Sequence, residues 1–269
     1  MSHGAGVQAG TIVCHTEGMR LIPITEGVYR IPLSWGNAYL LTDGASGALI
    51  DTGLRRDRAA LTGALAAAGS GSLQIRAVYL THAHTDHAGN AAYFAGRDAG
   101  ANGPCTRSAR IYLHRREAPC LRAPGTAYIP PHPQCWRRPV TTLIFRAGAL
   151  LYPVEGCEAD CTVDDNDVID TPAGTLRVVC CPGHTPGHVA YYRERDGLLF
   201  SGDAIVHVVP GWLRVALSLP PKVLCWDWEQ TLLSARRLAA LRPACLLAGH
   251  GPPLTQDTAR RLQDFVRKL

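Results

Sequence analysis

The sequence predicts an α/β fold built as two successive halves, and three observations carry that reading. Apolar runs of strand length alternate with helical stretches along much of the chain. The second half repeats the theme of the first. Residues able to bind metals fall where strand-like runs end and turns begin. With 269 residues and 46% hydrophobic content, the chain can bury the core of one large domain. We expect a single domain over residues 1–269, with an irregular Pro/Arg/Cys-rich insertion at about 103–165.

In chain order, short strands are expected near Val28, Tyr39 and Leu49, followed by a helix over 58–68 and a buried strand over 75–80. A helix is expected to begin within 88–95. In the second half, strands around Leu176, Ala190, Leu199 and Leu246 alternate with helices over 228–241 and 256–268. No short repeat or low-complexity tract interrupts this order.

The run Thr81-His82-Ala83-His84-Thr85-Asp86-His87 places four potential metal ligands on the turn between the strand over 75–80 and the helix after it. His82 and His84, two residues apart in extended chain, project to the same side. Asp86 and His87 lie where the chain bends into the helix and can address a neighbouring position, so one turn can supply two metals. Imidazole and carboxylate ligands suit a catalytic metal that keeps a position open for water, whereas structural zinc sites are closed and often thiolate-rich. Three later runs end the same way, as a strand, a glycine and then a ligand: Gly183-His184, Gly202-Asp203 and Gly249-His250. Glycine there lets the backbone approach a crowded site.

These motifs, with Asp51 in Ala48-Leu49-Ile50-Asp51-Thr52-Gly53, occur in the order that marks the metallo-β-lactamase superfamily, which the chain resembles from about Gly27 to Leu254. The resemblance implies a four-layer αββα sandwich with ligands at the shared edge of its halves. It implies that His82, His84 and His184 hold a first divalent ion, that Asp86, His87 and His250 hold a second, and that Asp203 bridges them. By the same resemblance Asp51 supports the site from behind. His188, the second histidine of the His-Thr-Pro-Gly-His stretch, takes a packing or ligand-orienting role. Zinc is the default metal for this ligand set, with iron and manganese as alternatives.

The chemistry implied is hydrolysis, in which two ions sharing a water bring its pKa near neutrality and polarise the scissile bond. Asp86 is the candidate catalytic residue, placed to orient that nucleophile or to protonate the leaving group. No Gly-x-Ser-x-Gly motif competes. Class B β-lactamases carry cysteine or serine where Asp203 stands, whereas glyoxalase II and acyl-homoserine lactonases carry aspartate. The Gly-Cys-Gly that follows the bridge in glyoxalase II is missing, and Val206 occupies the position of the lactonase tyrosine. The expected reaction is cleavage of an ester, thioester or lactone in a small molecule. The alternatives are β-lactam or phosphodiester hydrolysis and a mononuclear-iron oxidation of the persulfide dioxygenase type.

Composition bounds the partners. No signal-length apolar run opens residues 1–20 and no span long enough for a bilayer follows, so a soluble cytoplasmic protein without a membrane partner is expected. The net charge of +5 is modest, and nucleic acid is not an expected partner. Monomer and homodimer both stay open. The ten cysteines include no Cys-x-x-Cys pair and are expected to be mostly reduced, with a disulfide or extra metal at Cys157 and Cys161 as the alternative.

Residues 103–148 hold seven prolines, eight arginines and one acidic residue, whereas residues 155–170 hold seven acidic residues and no basic ones. The plain expectation is mutual neutralisation. The alternative is a basic flap over the metals, using Tyr128, His132 and Trp136, that favours an anionic or acylated substrate. His207 and Trp212, just after the bridging aspartate, are the other candidate pocket-lining residues.

Overall fold

The computed structural model describes residues 21–68, 73–97, 109–123, 155–208 and 214–269. Within them, β1 (Ile22–Thr25), β2 (Val28–Pro32), β3 (Asn37–Thr42), β4 (Ser46–Ile50), β5 (Gln74–Tyr79), β6 (Arg110–His114) and β7 (Cys161–Val163) form one sheet in that spatial order. β1 to β4 pair antiparallel. From β4 onward the pairs are parallel, which requires crossovers rather than hairpins. Helix α1 (Arg58–Ala68) lies in the first crossover, and the short helices α2 (Thr85–Ala88) and α3 (Ala91–Phe94) lie in the second. Helix α4 (Ala118–Arg122) follows β6.

The second sheet has β8 (Val168–Thr171), β9 (Gly174–Cys180), β10 (Val189–Arg193), β11 (Leu198–Gly202) and β12 (Cys245–Ala248), with β12 at one edge beside β11. Helix α5 (Trp228–Ala240) lies between the parallel strands β11 and β12, and α6 (Thr258–Val266) follows.

The period-2 alternation of strand side chains sorts the apolar residues into three cores. Leu40 and Leu49 pack with Leu61 and Leu65 of α1, outside the first sheet. Tyr39, Leu41 and Ile50 point the other way, meeting Val178, Tyr191 and Phe200 between the sheets. Leu199 and Leu246 face outward again, onto Ala235 and Leu238 of α5 and Leu262 of α6. The result is the helix, sheet, sheet, helix order of a four-layer αββα sandwich.

The expected strands and long helices are present, and their bounds move for local reasons. The helix expected from 256 starts only at Thr258, because Asp257 sits at φ 50, outside the right-handed helical region. The helical stretch within 88–95 is split into α2 and α3 at Gly89 and Asn90. There the Asn90 amide donates to the Thr52 and Leu54 carbonyls at 2.8 Å each and fixes a turn. Part of the stretch read as irregular is ordered: β6 and β7 extend the first sheet, and α4 follows β6. Five-residue and three-residue strands flanked by arginine and aspartate carry little periodic signal.

The acidic segment is paired. Glu155 meets Arg55 at 2.7 Å, Glu158 meets Arg122 at 2.6 Å, Asp164 lies 3.6 Å from Arg115, and Asp160 contacts Arg97. Exposed pairs of this kind contribute at most about 1 kcal/mol each, so they orient the segment more than they stabilise it. Tyr128, His132, Trp136 and Trp212 lie outside the described residues. The described cysteines, Cys157 and Cys161 included, are free thiols. Burial pushes the Cys157 thiol up to about 11. Among the described residues, no helix is long and apolar enough to cross a membrane.

Candidate metal centre

Residues 81–87 leave the end of β5 and turn into α2 over the edge shared by both sheets. Asp51, just past β4 and held at φ 57, anchors that turn. Its carboxylate accepts from the Thr81 backbone N–H and hydroxyl at 2.8 Å each, and from His87 Nδ1 at 2.8 Å. With its own proton given to Asp51, the Thr81 hydroxyl oxygen can accept from His82 Nδ1 at 3.0 Å. On the far side, His250 Nδ1 donates to the Trp35 carbonyl at 2.6 Å.

These contacts settle the tautomers. His82, His87 and His250 each commit the Nδ1 proton to an oxygen, which leaves Nε2 directed inward, the arrangement that carboxylate and carbonyl partners impose on metal-binding imidazoles. His84 contributes Nδ1 instead, 2.8 Å from His184 Nε2. Ligand atoms of His82, His84 and His184 converge within 4.8 Å of one another, and so do those of Asp86, His87 and His250. Asp203 lies between the two triads. One of its oxygens is 3.3 Å from His87 Nε2, and the other is 3.2 Å from His250 Nε2 and 3.6 Å from His184 Nε2. Asp86 approaches His250 Nε2 at 3.4 Å.

The buried atoms His82 Nε2, His87 Nε2 and Asp203 Oδ1 have no hydrogen-bond partner. Buried polar atoms that converge in this way suit a place for cations, since burying polar atoms without compensation is costly. The residues present therefore fit two divalent ions.

Local sequence fixes these ligands tightly. The backbone at Gly183 has φ 142, and a Cβ there would collide with Thr231 at the start of α5. That close approach lets the Asp227 N–H reach the Gly183 carbonyl at 2.9 Å and the Trp226 N–H reach the His184 carbonyl at 3.0 Å. A Cβ at Gly249 would fall on Asp203 Oδ1 and the His87 ring. His188 is fully buried and stacks on His82 at 4.7 Å between ring centres. Its Nε2 accepts the Asp203 backbone N–H at 3.0 Å while Nδ1 faces Cys181 Sγ at 3.2 Å. It thus holds the backbone of Asp203 rather than facing the ligand cluster.

Without metal, the site is an array of strongly shifted groups. Burial, reinforced by neighbouring imidazoles, holds His82 well below 6.5. Burial likewise lowers His84 to about 4 and His184 and His188 to about 3. Burial also opposes charge on His87 and His250, but the carboxylates of Asp203 and Asp86 outweigh it, with Asp51 adding to the effect at His87. His87 is held well above 6.5 and His250 is raised to about 10.

The first four imidazoles are harder to protonate folded than unfolded. Their stabilisation is lost as pH falls below about 6.5, at about 1.4 kcal/mol per pH unit for each group. His87 and His250 act in the opposite sense: their stabilisation is complete below about 6.5 and fades as pH rises through their folded values. Metal-free protein is therefore expected to melt at its highest temperature near pH 6.5 and to lose stability on both sides. Added divalent metal, displacing the protons of His87 and His250, should flatten the alkaline decline. Melting curves across this range in chelator and in metal check this, and a metal-free melting temperature still rising at pH 9 would contradict it.

A pocket of about 480 Å³ opens beside the His250 loop, lined among others by Arg30, Trp35, Gly36, Val208, Arg214 and Gly251. Gly36 forms the shared wall, since a Cβ there would touch the His250 ring. His207 is buried and donates from Nδ1 to the Pro252 carbonyl at 2.8 Å. Its neighbour Val208, not His207, faces this pocket.

Thr81, Trp35 and Glu117 are positioning groups that sequence reasoning passed over. Thr81 could have been flagged by its place beside His82, but a backbone carbonyl such as that of Trp35 leaves no trace in the sequence. Glu117 carried a signal: it is the one acidic residue in 103–148, and it is buried. A further grouping of His114, Asp164 and Cys180 also converges. There His114 Nδ1 accepts the Arg116 N–H at 3.2 Å, which leaves the proton on Nε2, the atom that would have to bind.

Residues 35–250 match the family described as the Metallo-beta-lactamase superfamily. A probable metallo-hydrolase of Bacillus subtilis, YflN, is 26% identical over 258 residues, spanning 91% of each chain. A hydroxyacylglutathione hydrolase of Cereibacter sphaeroides is 31% identical over 97 residues, 31% of this chain and 38% of that protein. Among solved structures, a metallo-beta-lactamase family protein from Thermus thermophilus, TTHA1429, superposes with a TM-score of 0.65 at 27% identity, over 91% of this chain and 79% of that one. The match begins at Trp35, whose carbonyl holds His250, and ends at His250 itself, enclosing both triads: this chain belongs to the metallo-beta-lactamase superfamily.

Proposed function

We propose that this protein is a dinuclear hydrolase that cleaves an ester, thioester or lactone of a small acyl compound. The observation that carries the reading is the placement of Asp203 between two triads whose ligand atoms converge within 4.8 Å. His82, His84 and His184 would hold one ion, Asp86, His87 and His250 the other, and Asp203 would contact both. Zinc suits these donors best, and iron accepts the same set. Such ions, when bound, lower the pKa of a water and polarise a carbonyl oxygen.

The chain's own groups then have distinct tasks. Asp86 keeps one carboxylate oxygen toward His250 and is 20% exposed, which makes it the acid-base group within reach of a substrate. It orients the attacking water and carries its proton to the departing oxygen or sulfur as the acyl bond breaks. Asp51, Thr81 and the Trp35 carbonyl keep imidazole lone pairs aimed inward, so little reorganisation is needed during the reaction. The pocket beside His250 would take the non-reacting part of the substrate, and its guanidinium groups Arg30 and Arg214 favour an anionic group there. The likeness to a hydroxyacylglutathione hydrolase supports a thioester among the bonds to try.

Elemental analysis of protein purified without added metal, together with turnover of lactone, thioester, phosphodiester and cephalosporin substrates, tests this. Two zinc or iron ions per chain with turnover of an acyl substrate is the expected result. One iron per chain with no hydrolysis would overturn it in favour of redox chemistry.

A further inference from the structure

Glu117 is 2% exposed, yet its carboxylate sits in no ion pair among the contacts of the described residues. Its backbone is firmly mounted: the Glu117 N–H donates to the His114 carbonyl at 2.9 Å, and its own carbonyl accepts from Cys120 and Leu121 at the start of α4. From that mount the side chain reaches two separate loops. Oε2 accepts the Ala83 N–H at 3.1 Å, between His82 and His84, and Oε1 accepts the Gly187 N–H at 2.7 Å, three residues after His184. The packing leaves no slack, because a Cβ at Gly187 would press on the Glu117 Cγ and the His114 ring.

One buried carboxylate therefore ties the loop bearing His82 and His84, from the first half of the fold, to the loop bearing His184, from the second. The three imidazoles it spans are those of one triad only. The other triad has anchors that Glu117 does not touch: the Trp35 carbonyl on His250, and Asp51 on His87, which also reaches His82 through the Thr81 hydroxyl. We propose that Glu117 is a positioning residue that sets the geometry of the His82, His84 and His184 triad and so governs the affinity of one ion independently of the other. The proposal rests on the two-ion reading above.

A structural carboxylate would matter to the fold as a whole, whereas this clamp predicts an asymmetric loss. Chelator-treated wild type, Glu117→Gln and Glu117→Ala would be titrated with zinc against a chromophoric chelator, alongside melting of the metal-free proteins. Glutamine keeps the length and one acceptor but turns an amide NH₂ toward a backbone N–H, so one clamp bond is lost without a cavity. The expected result is that wild type binds two zinc ions and that both variants weaken one of them about 10- to 100-fold, the range seen when groups orienting a ligand are removed. The other ion should keep its affinity, and metal-free Glu117→Gln should melt close to wild type. Unchanged affinities in Glu117→Gln, or a parallel loss of both ions with a drop in metal-free melting, would overturn the clamp while leaving the hydrolase reading intact. A wild type that takes fewer than two ions would overturn both. Should Glu117→Ala fail to fold, the glutamine variant decides the matter alone.

Discussion

Asp203→Ala is expected to lower kcat/KM by at least about a thousandfold, equivalent to several kcal/mol of transition-state stabilisation. Its side chain reaches both triads: its oxygens lie 3.3 Å from His87, 3.2 Å from His250 and 3.6 Å from His184. The loss should not come from unfolding, because the Asp203 backbone stays fastened to His188 and the cavity left is small. Metal-free, the variant should even lose part of the alkaline decline in stability, since the carboxylate that most strongly holds protons on His87 and His250 is gone. Asp203→Asn separates charge from shape: it should retain the fold and stay as impaired as the alanine variant. Steady-state kinetics with metal content measured on the same samples provide the check, and near-wild-type turnover in either variant would remove the bridge from the mechanism.

Asp51→Ala should have the largest effect on stability, about 3–5 kcal/mol, as expected when one partner of a buried charged contact is deleted. In a chain of this size that is roughly a 10 °C fall in melting temperature. Asp51 is 2% exposed, and its two oxygens satisfy the Thr81 N–H, the Thr81 hydroxyl and His87 Nδ1 together. Alanine also tolerates φ 57 poorly, whereas asparagine adopts it readily. Asp51→Asn should therefore recover much of the stability. It should still bind metal about 10- to 100-fold more weakly, because an amide cannot serve all three donors. Equal metal retention in Asp51→Asn and wild type would show that Asp51 serves the fold alone.

The candidate ligands that converge and most of the strands were readable because they combine short range with strong chemistry. Six consecutive residues hold four of the ligands, and each remaining ligand follows a glycine at a strand end. The uninterrupted apolar runs at 39–41 and 198–200 likewise announce which strands are covered on both faces. Long-range geometry was less legible. Glu117 acts on Ala83 and Gly187, residues with no distinguishing side chain, through their backbone N–H groups. The Trp35 carbonyl and the pocket beside it depend on the β2–β3 turn meeting the loop after β12. β6 and β7 went unseen because strands so short are specified by their neighbours in the sheet rather than by their own pattern.

The two parallel neighbours β11 and β12 are consecutive strands of the chain, yet α5 intervenes between them, and each leads into a candidate ligand, Asp203 and His250. Neither triad can close until the two halves have docked, because each draws ligands from both. Metal capture by the proposed triads would thus be a checkpoint on assembly. A partly folded chain would offer only the weak chelation of the 82–87 turn, so tight binding would arrive late and at once. The ions would then act as a latch across the seam, slowing its reopening and shielding the seam-forming strands from proteases and aggregation while the protein is loaded.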